Sequence, residues 1–384
     1  MCTAEQYTPL LLAHEAVAID PSARTVGVKS AAGVELVGYD ELVVGTGARP
    51  VIPPLLGIDL PGVYAMHTID EARSLRAVVD GGARSVALIG AGYIGTEMAD
   101  AFTNCDVEVT LIEMAPAVLT TFDTDLGALV GAELEHHGVA VKCGTTVERL
   151  ESGVGGGVRV LGGPDLDVNV DAVLIGVGVR PDSTLAAAAG VPVDARSAIV
   201  VDERMATGVD GIWAAGDCVQ THHVLYAEPV YLPLGTTAHK QGRVAGINAA
   251  GGAARYIGSL GTQAVKILDL VAARTGLRDV EASAAGYEPL SVTVSVDDHK
   301  AYYPGATTVH VRITGDRRDG RLLGVQILGT YGAEISKRVD IVATAIHAGS
   351  SVAAPSDLDL SYTPPLSSPW DPIQSAAQAW IRAR

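Results

Sequence analysis

The sequence is poor in aromatic residues, in cysteine and in positive charge, and each shortage narrows the function. Aromatics are 4% of the 384 residues, while glycine alone counts 44. Small residues at that density suit closely packed α/β layers better than a β-sandwich. The four cysteines are Cys2, Cys105, Cys143 and Cys218. None forms C-x-x-C and none stands with histidines at metal-ligand spacing, so no metal site is expected. Free thiols in a reducing cytoplasm are the simplest reading. His222 and His223 do not alter it, because adjacent loop residues rarely chelate one ion. The 27 basic residues face 44 acidic ones, a net charge of −17. That balance speaks against nucleic acid and anionic membrane as partners. No apolar run has transmembrane length, and no secretory leader pattern opens the chain.

What is present centres on Ser85 to Glu113, SVALIGAGYIGTEMADAFTNCDVEVTLIE. It reads as strand, tight turn, helix, strand. Gly90, Gly92 and Gly95 form G-x-G-x-x-G. The first permits the turn, the second leaves room for a pyrophosphate, and the third lets the helix lie close on the sheet. The helix start, with Tyr93 and Ile94, aims N–H groups and a positive dipole end at the phosphates. Glu113, at the end of the second strand, is placed to accept hydrogen bonds from a ribose. It would repel a 2′-phosphate, and Met114, Ala115 and Pro116 supply no cation. NADH is therefore expected over NADPH, with NADPH possible.

Around this unit the chain reads in order. Ala16 to Ile19, Val26 to Lys29 and Val34 to Val37 suggest a β-meander. Leu42 to Val44 is expected as a buried strand that runs into the tight loop Gly45-Thr46-Gly47-Ala48. A proline-rich crossover, Pro53 to Gly62, leads to a helix over His67 to Val79. Asp123 to His137 has helical periodicity, and Val139 to Cys143 is a third strand. Thr145 to Val160 with Val168 to Val170 reads as a hairpin crossover. Ala172 to Ile175 returns to the sheet and is followed by Gly176-Val177-Gly178-Val179-Arg180-Pro181. A further strand ends at Ala214-Ala215 and meets Gly216-Asp217. From Arg255 the character becomes α+β, with strands at Thr262 to Asp269, Ser291 to Val296, Thr308 to Ile313 and Leu322 to Leu328, and a helix at Glu334 to Ala348.

The Thr46-Gly47-Ala48 loop, the dinucleotide motif, the G-x-R-P loop and the Gly216-Asp217 pair, in that order, resemble the pyridine nucleotide–disulfide oxidoreductases. These are two-dinucleotide-binding flavoprotein reductases. The resemblance implies two nested Rossmann-like domains plus a C-terminal dimerisation domain. It divides the chain into 1–64 and 185–254 for FAD, 65–184 for NAD, and 255–384 for dimerisation. It implies FAD contacts at Thr46, Gly47, Ala48, Gly216 and Asp217, and nicotinamide contacts near Gly176 and Gly178. The stretches GTQAVKILDLVAARTGL, YYPGA and DLDLSYTPPLSSPWDP are most similar to the branch of coenzyme A-disulfide reductases, NADH oxidases and persulfide reductases. By that likeness Tyr302 and Tyr362 would be catalytic and reach the partner subunit's active site in a homodimer.

Two family features are not seen: a first G-x-G-x-x-G for the ADP half of FAD, and a redox cysteine downstream of it. Cys2 lacks the expected context. An N-terminally incomplete sequence is the favoured expectation over a natural short form, and flavin should then be held weakly. The functional expectation is hydride transfer from NADH through FAD to a small disulfide or persulfide, or to oxygen. The alternative is a flavin-free NAD-binding dimer that acts as a sensor or interaction module.

Overall fold

The computed structural model describes residues 9–163 and 165–384, so Cys2 lies outside it. Two compact units emerge. One runs to Arg49 and continues through Val179–His223 and Glu228–Ser259; the other comprises Pro50–Gly178, Val224–Ala227 and Leu260–Arg384. Among the described residues no helix is long and apolar enough to cross a membrane.

In the first unit the expected meander forms as three antiparallel strands, Glu15–Asp20, Thr25–Ser30 and Gly33–Gly38. Its first turn is fixed by Asp20, whose carboxylate accepts from the N–H groups of Ser22 and Ala23, both at 2.9 Å. Strand Leu42–Val44 pairs in parallel with Ile212–Ala214. Val44 is buried, but Val43 stands 41% exposed, so this strand is only partly covered where a buried one was expected. Parallel pairing makes the loops after Val44 and Ala214 leave the same edge. Helix Gly235–Ala249 packs against both strands.

The second unit is built on a five-stranded parallel sheet. Its order is Val63–Ala65, Ala172–Ile175, Ser85–Ile89, Glu108–Ile112, Ala140–Lys142. Ser85–Ile89 is the central strand, with two strands on each side, and its run from Val86 to Ile89 is buried, as a continuous apolar run requires. Helix Ile69–Asp80 begins at a capping box in which Thr68 and Glu71 satisfy each other's backbone N–H groups. Helix Thr124–His136 follows the Asp123 N-cap. Strands Val147–Ser152, Val158–Gly162 and Leu166–Val170 form the antiparallel crossover.

Residues 263–330 add a five-stranded antiparallel sheet ordered Gln263–Ile267, Leu270–Gly276, Leu322–Thr330, Thr308–Asp316, Pro289–Asp297. The strand expected over Thr262 to Asp269 is really one arm of a hairpin that turns at Leu268-Asp269. Helix Ile335–His347 buries Ile335, Val339, Val342 and Ile346 on this sheet. Its small residues therefore pack within the chain. A last helix, Pro372–Ala383, inserts Trp380 into the same core, and its indole N–H donates to the Leu290 carbonyl at 2.6 Å.

Candidate functional site

In the second unit the carboxyl ends of three neighbouring strands deliver Gly90, Glu113 and Gly176 to one edge, where open α/β sheets bind ligands. The Gly90 N–H donates to the Ile112 carbonyl at 2.8 Å, and the Gly176 N–H to the Ile89 carbonyl at 2.8 Å. Gly90 has φ 102°, and a Cβ there would lie 2.5 Å from the Gly176 carbonyl oxygen. A Cβ on Gly95 would run into the Gly90 carbonyl oxygen. Glycine at both positions is thus a condition of the fold. Gly92 differs: a Cβ there meets nothing within 4 Å. Its lack of a side chain serves the space above it. Gly92 is also the N-cap of helix Tyr93–Thr103, and no side chain caps that end among the described residues. The first N–H groups of the helix therefore face that space with the positive end of the dipole.

Glu113 closes the edge. Its carboxylate accepts from the Ala91 N–H at 2.8 Å and the Ala115 N–H at 2.9 Å. A carboxylate has about four acceptor positions, so two remain for ribose hydroxyls. Tyr93 turns inward, with its hydroxyl 3.3 Å from that of Thr121, and burial pushes its phenol up. Ile94 is half-buried beside it. These residues fit a dinucleotide: an open cradle, free helix N–H groups, and a fixed acid at the next strand end.

In the first unit, Thr46, Gly47 and Ala48 follow Val44, and Gly216 and Asp217 follow Ala214, on the shared edge of the strand pair. The Thr46 hydroxyl donates to the Asp182 carbonyl, and Arg49 pairs with the Asp182 carboxylate at 2.7 Å. The Gly216 N–H donates to Gln241 Oε1 at 3.0 Å. The Tyr231 hydroxyl donates to the Asp217 carbonyl at 3.0 Å; burial, then the Asp217 charge, push that phenol well up. A Cβ on Gly45 or Gly47 would meet nothing within 4 Å, so this edge also has open backbone that fits part of a dinucleotide. Asp182 and Gln241 escaped the sequence reading. The signal for Asp182 was its place directly after the G-x-R-P loop; for Gln241 it was a polar residue at a buried helix position.

Tyr302 and Tyr362 come together. Desolvation, then the neighbouring Tyr302 hydroxyl, raises the Tyr362 phenol. The Lys300 N–H, donating to the Pro364 carbonyl at 3.3 Å, ties the two loops. Both rings remain accessible, at 74% and 44%.

The described cysteines offer no activated thiol. Cys218 is buried, points at the Ala215 carbonyl at 3.3 Å, and is pushed up by that burial. Cys143 is raised by burial and then by the Glu113 charge. Cys105 is exposed just after the end of helix Tyr93–Thr103. No family redox cysteine stands among them.

Comparison with known proteins agrees with this geometry. The pyridine nucleotide-disulphide oxidoreductase family model matches residues 4–242, and its dimerisation domain matches residues 262–372. The NAD(P)H sulfur oxidoreductase (CoA-dependent) of Pyrococcus furiosus is 34% identical over 345 residues, covering 87% of this chain and 75% of the relative. The NADH oxidase of Methanocaldococcus jannaschii is also 34% identical, covering 89% and 75%. A solved NAD-dependent persulfide reductase from A. fulgidus superposes with TM-score 0.93 at 35% identity, covering 97% of this chain and 68% of that one. The chain belongs to the pyridine nucleotide-disulphide oxidoreductase family, whose members are FAD- and NAD(P)H-dependent oxidoreductases.

Proposed function

We propose that this protein is an NADH-dependent flavoprotein reductase whose acceptor is a small persulfide or disulfide of the coenzyme A type. The observation that carries the reading is the open cradle over Gly92, flanked by the free helix end and the fixed Glu113 carboxylate. Bound NADH supplies the hydride, and bound FAD relays the electron pair to sulfur. The protein's own part is placement. Helix N–H groups from Tyr93 onward hold the pyrophosphate, and Glu113 holds the ribose and selects against a 2′-phosphate. Gly176 and Gly178 shape the nicotinamide end. Thr46 to Ala48, Gly216 and Asp217 hold the flavin side, with Asp217 accepting from a ribityl hydroxyl. The Tyr302–Tyr362 pair favours sulfur over oxygen as acceptor. A tyrosine hydroxyl donates a hydrogen bond or a proton to a departing thiolate.

The division into FAD segments 1–64 and 185–254, an NAD domain 65–184 and a dimerisation domain 255–384 belongs to the same proposal. So does a homodimer in which Tyr302 and Tyr362 serve the partner's site. The test is NADH oxidation by protein loaded with excess FAD, with coenzyme A persulfide, coenzyme A disulfide or oxygen offered separately. Faster turnover with a sulfur acceptor, and loss of that advantage in Tyr362→Phe, is the expected result. Equal rates with oxygen alone would assign the protein to the oxidase reading. NADH binding without any turnover would favour the sensor reading.

A further inference from the structure

Residues 119–122 lie between strand Glu108–Ile112 and helix Thr124–His136, and on one side they hold the nucleotide edge. The Leu119 N–H donates to the Ala91 carbonyl at 2.8 Å, between Gly90 and Gly92. The Thr121 hydroxyl donates to the Tyr93 hydroxyl at 3.3 Å, at the first residue of the helix that follows Gly92. Leu119 has φ 49°, a left-handed conformation that an L side chain keeps only where its surroundings hold it.

On the other side two guanidinium groups supply that hold. Arg278 donates to the Thr120 carbonyl at 3.0 Å and the Phe122 carbonyl at 2.8 Å, and Arg274 donates to the Thr121 carbonyl between them. Three successive carbonyls thus accept from charged donors, which make the stronger kind of hydrogen bond. Glu281 locks both arginines, with Arg274 at 2.6 Å and Arg278 at 3.2 Å, and Arg274 also donates to the Gly276 carbonyl at 2.7 Å. Arg274 is buried. Beside them Gln326 exchanges two bonds with Asp123, at 2.7 and 2.8 Å. Arg274, Arg278 and Gln326 all belong to the segment that matches the dimerisation domain.

We propose that Arg274 and Arg278 are positioning residues of the NADH site, acting through residues 119–122. The inference rests on the reading of the Gly90–Gly95 edge as that site. Ala91 and Tyr93 flank Gly92, so a shift of residues 119–122 displaces the helix start that must meet the pyrophosphate, and misplacement by an ångström is costly. Lysine would not replace either arginine, because a point charge cannot bridge carbonyls and a carboxylate at once.

The test is calorimetric titration of the full chain with NADH and with NADPH, with thermal melts alongside. Arg278→Gln, at a side chain 19% exposed, is the milder variant, and Arg274→Lys the second. Each should weaken both nucleotides by the same factor, roughly 5- to 20-fold, since the pyrophosphate is common to both. In FAD-loaded protein the KM for NADH should rise while kcat at saturating NADH holds, as loss of ground-state binding requires. Trp380→Phe, in the core of the same segment, is the control for general destabilisation: it should lower Tm and leave NADH affinity unchanged. Unchanged affinity in both arginine variants overturns the proposal while leaving the NADH site in place. Equal weakening by Trp380→Phe overturns it as well. A parent protein that binds no NADH would remove the underlying reading and the proposal with it.

Discussion

Glu113 shows how one side chain carries two duties. It holds the Ala91 and Ala115 N–H groups, and it offers its remaining lone pairs outward. Hydrogen bonds to a charged group are worth about 1.5–3 kcal/mol each, so Glu113→Ala should weaken NADH by roughly 10- to 100-fold and NADPH much less. Dissociation constants for both nucleotides would decide it; an unchanged preference removes Glu113 from ribose binding. The place of Glu113 at the strand end was legible because acid and glycines fall at fixed distances along one strand-turn-helix-strand unit. The backbone duty was not, since it depends on Ala91 and Ala115 folding back onto the carboxylate. Tyr302 and Tyr362 were legible only through resemblance, because nothing local pairs two residues that far apart.

Elements with a long, regular pattern were legible, and short or aperiodic ones were not. Strand Ser85–Ile89 and helix Thr124–His136 stand where the sequence suggests. The six-residue helix Asp279–Ala284 is too short to show a period. Helix Pro372–Ala383 was passed over because a proline-rich stretch precedes it, although Asp371, Pro372 and Gln374 spell a capping box. The short helix sets a pH dependence. Glu281 pairs with Arg274 at 2.6 Å and Arg278 at 3.2 Å. Burial pushes its carboxyl up, but the Arg274 hydrogen bond and charge, with those of Arg278, outweigh burial and hold it below the usual range. A depressed folded pKa adds stability above the unfolded value, about 4.3, which is lost as pH falls through the folded value. Glu281→Gln should therefore cost about 1–3 kcal/mol near neutrality in urea denaturation, and less as the pH drops below about 4. A cost that stays constant with pH would contradict the assignment.

For the whole molecule the expectation is a two-fold homodimer. The C-terminal segment matches a dimerisation domain. Its own helices fill its core, and among its exposed apolar side chains are Tyr302, Tyr362, Leu366 and Trp370, the last 57% exposed. A single apolar patch that meets itself makes an isologous contact. Sedimentation at micromolar concentration should give a dimer, and Trp370→Glu should shift it toward monomer. Tyr362→Phe should leave the dimer intact and lower turnover with sulfur acceptors several-fold. A monomeric parent protein would exclude a site shared across the axis.

NADH as the electron source at the Gly90–Gly95 edge is tested most directly by one calorimetric titration, run on the parent protein and on Gly92→Val. A Cβ at Gly92 meets nothing within 4 Å and its φ of −75° suits any residue, so the variant should fold with an unchanged Tm. The parent should bind one NADH per chain, and the variant should bind at least 100-fold more weakly because valine fills the pyrophosphate's place. Equal affinity in the two proteins would contradict nucleotide binding at this edge.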